Sequence, residues 1–163
     1  RREVELPDFL QHMADSLSIL FQNTEVLFSC DLRVPKGRAV LDGELLYRVL
    51  ENLISNALRF AEREIELAFC LEHGILSATV TDDGPGFSDK LLQKKTALFY
   101  SEDPSGKHLG LGLAVSRVLC QKHGGTIELS NKSPHGACVK ASIKLQEILY
   151  GTALITGGEN GNI

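Results

Sequence analysis

No run of apolar residues in this 163-residue chain approaches the roughly 20 needed to cross a bilayer as a helix. The opening RREVELPDFL also lacks the charged, apolar and small-residue succession of a secretory leader. A basic surplus is missing too: the net charge is -4, so there is no general attraction to nucleic acid or to an anionic membrane. Any phosphate binding must therefore be local. The four cysteines, Cys30, Cys70, Cys120 and Cys138, form no pair at metal-ligand or redox spacing and read as reduced thiols serving as small apolar residues. There is no internal repeat.

What is present is ordinary for a globular protein. Hydrophobic residues make up 43% and charged residues 23%, which argues against disorder, and the length suits one well-packed domain. The chain begins at Arg1 without a methionine and is expected to be a piece of a longer protein.

Phe9, Leu10, Met13, Leu17, Leu20 and Phe21 recur at helical spacing and predict a helix from Asp8 to about Gln22, with Asp8 as its cap. Alternation of Val26, Phe28, Cys30 and Leu32 predicts a strand. After the Gly- and Pro-punctuated stretch from Pro35 to Gly43, a second helix is expected from about Glu44 to Glu62. Ile65, Leu67, Phe69 and Leu71 alternate outward, His73-Gly74 turns the chain, and Leu76, Ala78 and Val80 alternate back, as in an antiparallel hairpin. The polar stretch from about Ser88 to Leu109 reads as a mobile loop or lid. A third helix is expected from Leu111 to about His123, stopped by Gly124-Gly125, with a closing hairpin around NKSPHG. Helices interleaved with hairpins predict an α+β fold, a two-layer α/β sandwich whose mixed sheet of about five strands packs on three helices.

Three places carry chemistry. In ENLISNALRF, Asn52, Asn56 and Arg59 fall on one stripe of the second helix, while Leu46, Leu50, Leu53 and Ala57 occupy the stripe beside it. An asparagine carbonyl suits a hard cation such as magnesium, a guanidinium suits phosphate, and the ring of Phe60 suits stacking on a base. Taken alone, two asparagines on a helix are more often a solvated face. In Asp82-Asp83-Gly84-Pro85-Gly86-Phe87 a strand runs into a glycine-bearing turn, and a buried carboxylate at Asp82 would accept from an exocyclic amine. An ordinary loop turn is the rival reading. In Gly106-Lys107-His108-Leu109-Gly110-Leu111-Gly112-Leu113, a glycine-bearing loop opens a helix whose free N-H groups suit phosphate. Close packing of a helix start is the rival there. The loop is not of Walker type, because no Gly-Lys-Ser/Thr ends it.

Together and in this order, the paired Asn helix, the Asp-x-Gly-x-Gly strand end, the polar stretch and the Gly-x-Gly helix start resemble the N, G1 and G2 boxes of the GHKL superfamily, which includes gyrase, Hsp90 and the histidine kinases. The resemblance runs from about Asp8 to Leu145 and looks closest to the ATP-binding catalytic domain of bacterial sensor histidine kinases. Asn52-Leu53-x-x-Asn56-Ala57-x-Arg59-Phe60 resembles the N box of those kinases, Phe99-Tyr100 the end of their F box, and His123-Gly124-Gly125-Thr126-Ile127 the run after their third helix. Departures are His108 at the first glycine of the G2 box and Thr96 where the F box often opens with an aromatic residue.

The resemblance implies a Bergerat fold with a flexible ATP lid, with ATP and Mg2+ as ligands. It places Asn56 on magnesium, Asn52 and Arg59 near the phosphates, Phe60 against adenine, Asp82 on its amine, and Gly84, Gly86 and Phe87 around the base. Leu109, Gly110, Leu111 and Gly112 would meet the phosphates through their backbone, and Thr126 joins the nucleotide-binding set. Residues 1–146 are then the catalytic domain and 147–163 an extension without an assigned role.

ATP-hydrolysing relatives carry a glutamate base one helical turn before the metal-binding asparagine; here that position is Asn52, and Glu51 points about 100° away around the helix. The expected chemistry is phosphoryl transfer to a histidine, with ATP shielded from water. His12 is followed by Met13, Ala14 and Asp15 and lacks the setting of an acceptor. The acceptor is therefore expected on a histidine-bearing dimerisation domain elsewhere in the parent protein, with a response regulator as the next partner. A cytoplasmic domain of a membrane-anchored parent is expected, touching neither nucleic acid nor membrane itself. Two alternatives remain at this level: a serine/threonine kinase of the anti-sigma-factor type, and a nucleotide-binding docking module without kinase activity. An ATP-driven clamp would need the missing glutamate and large transducer domains.

Overall fold

The computed structural model describes residues 1–93 and 109–150. Strand β1 (Arg2–Glu5) leads directly into helix α1 (Leu6–Leu17), which starts two residues before the expected point because Pro7 sits comfortably in a first turn, where its missing N-H would be unpaired anyway. Asp8 is not the cap; it lies inside that first turn, where a negative charge complements the helix dipole. A single 3-10 turn, Ser18–Phe21, completes the segment read as one helix.

Strands β2 (Leu27–Arg33) and β3 (Gly37–Leu41) follow, and Asp42 then caps helix α2 (Gly43–Leu58) by accepting from the Leu45 N-H at 3.0 Å. Strand β3, together with β1, was not expected; both are short segments without clean alternation. Leu46, Val49, Leu50, Leu53, Ile54 and Ala57 of α2 bury one face. The helix ends four residues earlier than the periodicity suggested. The reason is tertiary: the backbone N-H groups of Glu62 and Arg63 donate to the Asp83 carboxylate instead of to helix carbonyls.

The hairpin of β4 (Glu64–Glu72) and β5 (Ile75–Asp82) forms as expected, its turn carried by positive φ at His73 and Gly74. After the short helix α3 (Asp89–Gln93), helix α4 (Leu109–Lys122) runs to a stop at Gly124, which has φ 71°, while the Gly125 N-H closes on the Cys120 carbonyl at 2.9 Å. Strands β6 (Ile127–Asn131) and β7 (Ala137–Lys144) make the closing hairpin.

These elements build an α+β sandwich. The main sheet has the order β2-β4-β5-β7-β6, with β2 parallel to β4 and the remaining pairs antiparallel, so it is mixed and five-stranded as expected. Ile65, Leu67 and Phe69 of β4, Leu76, Ala78 and Val80 of β5, and Val139, Ala141 and Ile143 of β7 share one buried face. Helix α2 packs against β4, β5 and β7, α4 against β6 and β7, and α1 against β2. A second sheet, β1-β3-β8, uses strand β8 (Ile148–Tyr150), so part of the stretch after residue 146 belongs to regular structure.

Candidate functional site

Alternation along β5 places Asp82 on the same face as Leu76, Ala78 and Val80, so a carboxylate stands where the core pattern calls for an apolar side chain. It is 4% exposed. A buried carboxylate is tolerable only when its oxygens are hydrogen-bonded. Asp82 Oδ1 accepts from the Gly84 N-H at 2.8 Å and from the Ala137 N-H at 3.3 Å. Both donors converge on the same oxygen. Asp82 also lines a cavity of about 430 Å³.

The apolar walls of that cavity include Leu53 and Ala57 from α2, Val80 from β5, and Ala137 and Val139 from β7, with Phe60 and Phe87 at its margin. Such a chamber, apolar with one directed acceptor, suits a flat heterocycle bearing an amine. Asn56 and Arg59 border it and also border a second hollow of about 180 Å³, whose remaining lining is Asn52, Ser55, Gly112 and Leu113. The two spaces therefore meet at Asn56 and Arg59.

Helices α2 and α4 face each other across the smaller hollow. Asn52 Nδ2 donates to the fully buried Ser116 Oγ at 3.3 Å. Among the described residues, a Cβ placed on Gly112 would meet nothing closer than Asn52 Cβ at 3.9 Å. Packing against the described residues therefore does not demand glycine there. Leu109, Gly110 and Leu111 form the first turn of α4, whose N-H groups have no helical partner. Among the described residues no carboxylate lines the smaller hollow, and Glu51 lines neither space. Among the described residues there is no cluster of three or more His, Cys, Asp or Glu side chains. A hard cation at Asn56 would draw its other ligands from phosphate and water, which is the usual habit of magnesium.

The profile of the family described as histidine kinase-, DNA gyrase B-, and HSP90-like ATPase matches residues 41–147, well over half of the chain. This chain belongs to that ATPase family. Within it, the chain is 28% identical over 148 residues to a putative NtrY-like sensor histidine kinase of Rickettsia conorii, covering 88% of this chain and 24% of the relative. It is 31% identical over 140 residues to the sensor protein RstB of Escherichia coli K12, covering 83% of this chain and 32% of the relative. The chain thus spans between a quarter and a third of the length of these two curated relatives. The fold matches the nucleotide-free catalytic domain of the histidine kinase ThkA with a TM-score of 0.71 at 21% identity, over 88% of this chain and 94% of that one. It matches full-length ShkA in complex with AMPPNP with a TM-score of 0.73 at 21% identity, over 88% of this chain and 31% of that one. The relatives and the fold agree on the ATPase domain of a two-component sensor kinase, with the Bergerat architecture.

Against this ATPase framework, most of the residues singled out by motif converge: Asn52, Asn56, Arg59, Phe60, Asp82, Gly86, Phe87 and Gly112 line the two joined spaces. Gly84 does not line them; it lies behind the wall, where a Cβ would run into the Phe60 carbonyl. Thr126 is not brought to the site. Its backbone N-H donates to Ser142 Oγ at 3.1 Å, three residues along β7 from the cavity-lining Val139, about 10 Å at strand rise. Thr96, Phe99, Tyr100 and His108 lie outside the described residues.

A larger hollow of about 800 Å³ lies between α1 and the start of α2, bordered by Arg1, Phe9, His12, Asp42 and Tyr47. None of the motif residues reaches it, and its chemistry is mixed, so size alone does not mark the site.

Sequence reasoning missed the residues that hold the site's loop. Asp83 grips the Glu62 and Arg63 N-H groups at 2.8 and 3.0 Å, and Asn131 at the end of β6 and His135 in the β6–β7 turn contact the same loop. Partial burial pushes the Asp83 carboxyl up, but the backbone N-H groups of Arg63, Glu62 and Glu64 outweigh this and bring it below the usual 3.8. Only spatial neighbours reveal these roles, although the pairing of Asp83 with the glycine turn was in view.

Proposed function

We propose that this chain binds Mg-ATP and presents its γ-phosphate to a histidine on a separate dimerisation domain of a sensor histidine kinase, with a response regulator downstream. The observation that carries the reading is that two spaces share Asn56 and Arg59, one apolar with Asp82 at its wall, the other bordered by Asn52 and Ser55 and faced by Gly112 of α4.

In this reading Asp82 Oδ2 accepts from the exocyclic amine of adenine, while Oδ1 stays committed to Gly84 and Ala137. Phe60 and Phe87 flank the base, and Leu53 and Val139 bury it. Asn56 offers a neutral carbonyl oxygen to magnesium, and the bound ion supplies neutralisation of phosphate charge. Asn52 and Arg59 orient the phosphates, joined by backbone N-H groups from Leu109 to Gly112. Asn52 stands one helical turn before Asn56, and among the described residues no carboxylate lines the phosphate hollow to activate water, which favours transfer to another nucleophile over hydrolysis. The acceptor histidine belongs to a part of the parent protein outside this chain, and the parent is anchored to the cell membrane with this domain on its cytoplasmic side. Among the described residues no helix is long and apolar enough to cross a membrane.

Calorimetric titration with a non-hydrolysable ATP analogue, with and without magnesium, tests the reading. The parent chain should bind in a magnesium-dependent way, and Asn56→Ala should abolish the magnesium effect. Asp82→Asn keeps an acceptor for Gly84 and Ala137 but turns a donor toward the ligand amine, so it should lose binding while staying folded. No binding by the parent chain at millimolar analogue would leave a docking module in place of a kinase. Labelled ATP should place no stable phosphate on the isolated chain; if it does, the acceptor lies within it.

A further inference from the structure

Strand β6 carries Ile127, Leu129 and Asn131 on one face by alternation; the first is buried, the second packs on the core, and the third is exposed at the end of this edge strand. Its carboxamide meets the backbone of Phe87, 44 residues earlier. Asn131 Oδ1 accepts from the Phe87 N-H at 2.7 Å, and Asn131 Nδ2 donates to the Phe87 carbonyl at 2.8 Å. The assignment of oxygen and nitrogen in this amide is unambiguous, because an N-H needs the acceptor and a carbonyl needs the donor. One side chain thus satisfies both polar groups of a residue in irregular backbone, as a neighbouring strand would.

The approach is so close that residue 86 has to be glycine. Gly86 has φ 83°, and a Cβ there would sit 2.8 Å from Asn131 Oδ1. The same turn reaches the loop again at His135, whose Nδ1 lies 3.2 Å from the Gly84 carbonyl oxygen. Pro85, Gly86, Phe87 and Ser88 all line the cavity of about 430 Å³ beside Asp82.

We infer that Asn131 is a positioning residue for the nucleotide site, holding the Gly84–Ser88 loop in its ligand-ready shape before any ligand arrives. This rests on the nucleotide-binding reading above. A loop ordered in advance spares the ligand the entropy of ordering it, so the clamp should appear in affinity more than in global stability.

The test compares the parent chain with Asn131→Ala, Asn131→Asp and, as a control, Ser130→Ala, whose side chain belongs to the opposite sheet face. Three quantities are read: amide hydrogen exchange at Phe87 without nucleotide, calorimetric affinity for a non-hydrolysable ATP analogue with magnesium, and melting temperature. Asn131→Ala should lose protection at Phe87 and bind about tenfold more weakly, the scale set by two neutral hydrogen bonds, with its melting temperature close to the parent's. Asn131→Asp keeps the acceptor but sets a carboxylate against the Phe87 carbonyl, so it should retain protection at Phe87 and recover only part of the affinity. Ser130→Ala should match the parent. Parent-like affinity in Asn131→Ala, or unchanged exchange at Phe87, overturns the inference. If the parent itself binds no analogue, the nucleotide reading fails, and the clamp is then judged by exchange at Phe87 alone.

Discussion

Asn52 of α2 and Ser116 of α4 are joined through Nδ2 and Oγ at 3.3 Å, a polar tie between two helices that otherwise pack through apolar side chains. Ser116 is fully buried, and it lies directly behind the hollow that Asn52 borders. Replacing it with alanine removes an interior partner without creating a large void. Ser116→Ala should cost about 1 kcal/mol in urea unfolding, the usual net worth of such a bond, and should free the Asn52 amide to rotate. Magnesium-dependent analogue affinity should fall along with it, whereas an alanine at an exposed α4 position should leave both unchanged.

The Asp83 carboxylate predicts a pH dependence. Because its folded value lies below the usual 3.8, ionised Asp83 stabilises the fold at pH values above the unfolded one, and that contribution disappears as pH falls through the folded value. The difference in urea midpoint between the parent and Asp83→Ala should be constant near neutrality and shrink below about pH 4. A difference that grows on acidification would contradict the grip on Glu62 and Arg63.

Gly125 offers a test of helix-to-sheet packing. A Cβ at this position would collide with the backbone of Ser142 and Ile143 on β7, which have no side-chain freedom to yield. Gly125→Ala should destabilise the fold by about 1–3 kcal/mol, the range of overpacked interiors, measured by chemical denaturation.

The cysteines differ in accessibility. Cys120 is fully buried, and burial pushes its thiol up to about 11 from 9.0, so little thiolate forms near pH 8. Iodoacetamide at pH 8 followed by mass spectrometry should leave Cys120 unmodified in the native chain and modify it rapidly in denaturant. Rapid native labelling of Cys120 would mean that α4 opens away from β7 far more readily than its packing implies.

Much of the architecture was legible because its signals are short-range. The stripe from Leu46 to Ala57, the alternation through β4 and β5, and the Gly124-Gly125 stop each sit within a few residues of sequence. Strands β1, β3 and β8 were not legible. They are short pieces that become strands only because they lie beside one another, at residues far apart in sequence. The end of α2 was misjudged for a related reason: periodicity through Glu62 cannot reveal that Asp83, some 20 residues later, claims the N-H groups involved.

At the candidate site, the sequence by itself determined the chemical inventory: neutral amides and a guanidinium on one helix stripe, a carboxylate ending a strand, and glycines opening another helix. It also determined the absence of a carboxylate at position 52. Only the tertiary structure decided which of these meet. It brought Asn56 and Arg59 to the seam between two cavities, held Gly84 behind the wall, and left Thr126 beside Ser142 of β7, outside the lining of both. It alone joined Asn131 to Phe87. Periodicity and turn chemistry act over a few residues, whereas a site's geometry depends on which strands and helices come to lie side by side once the core is packed.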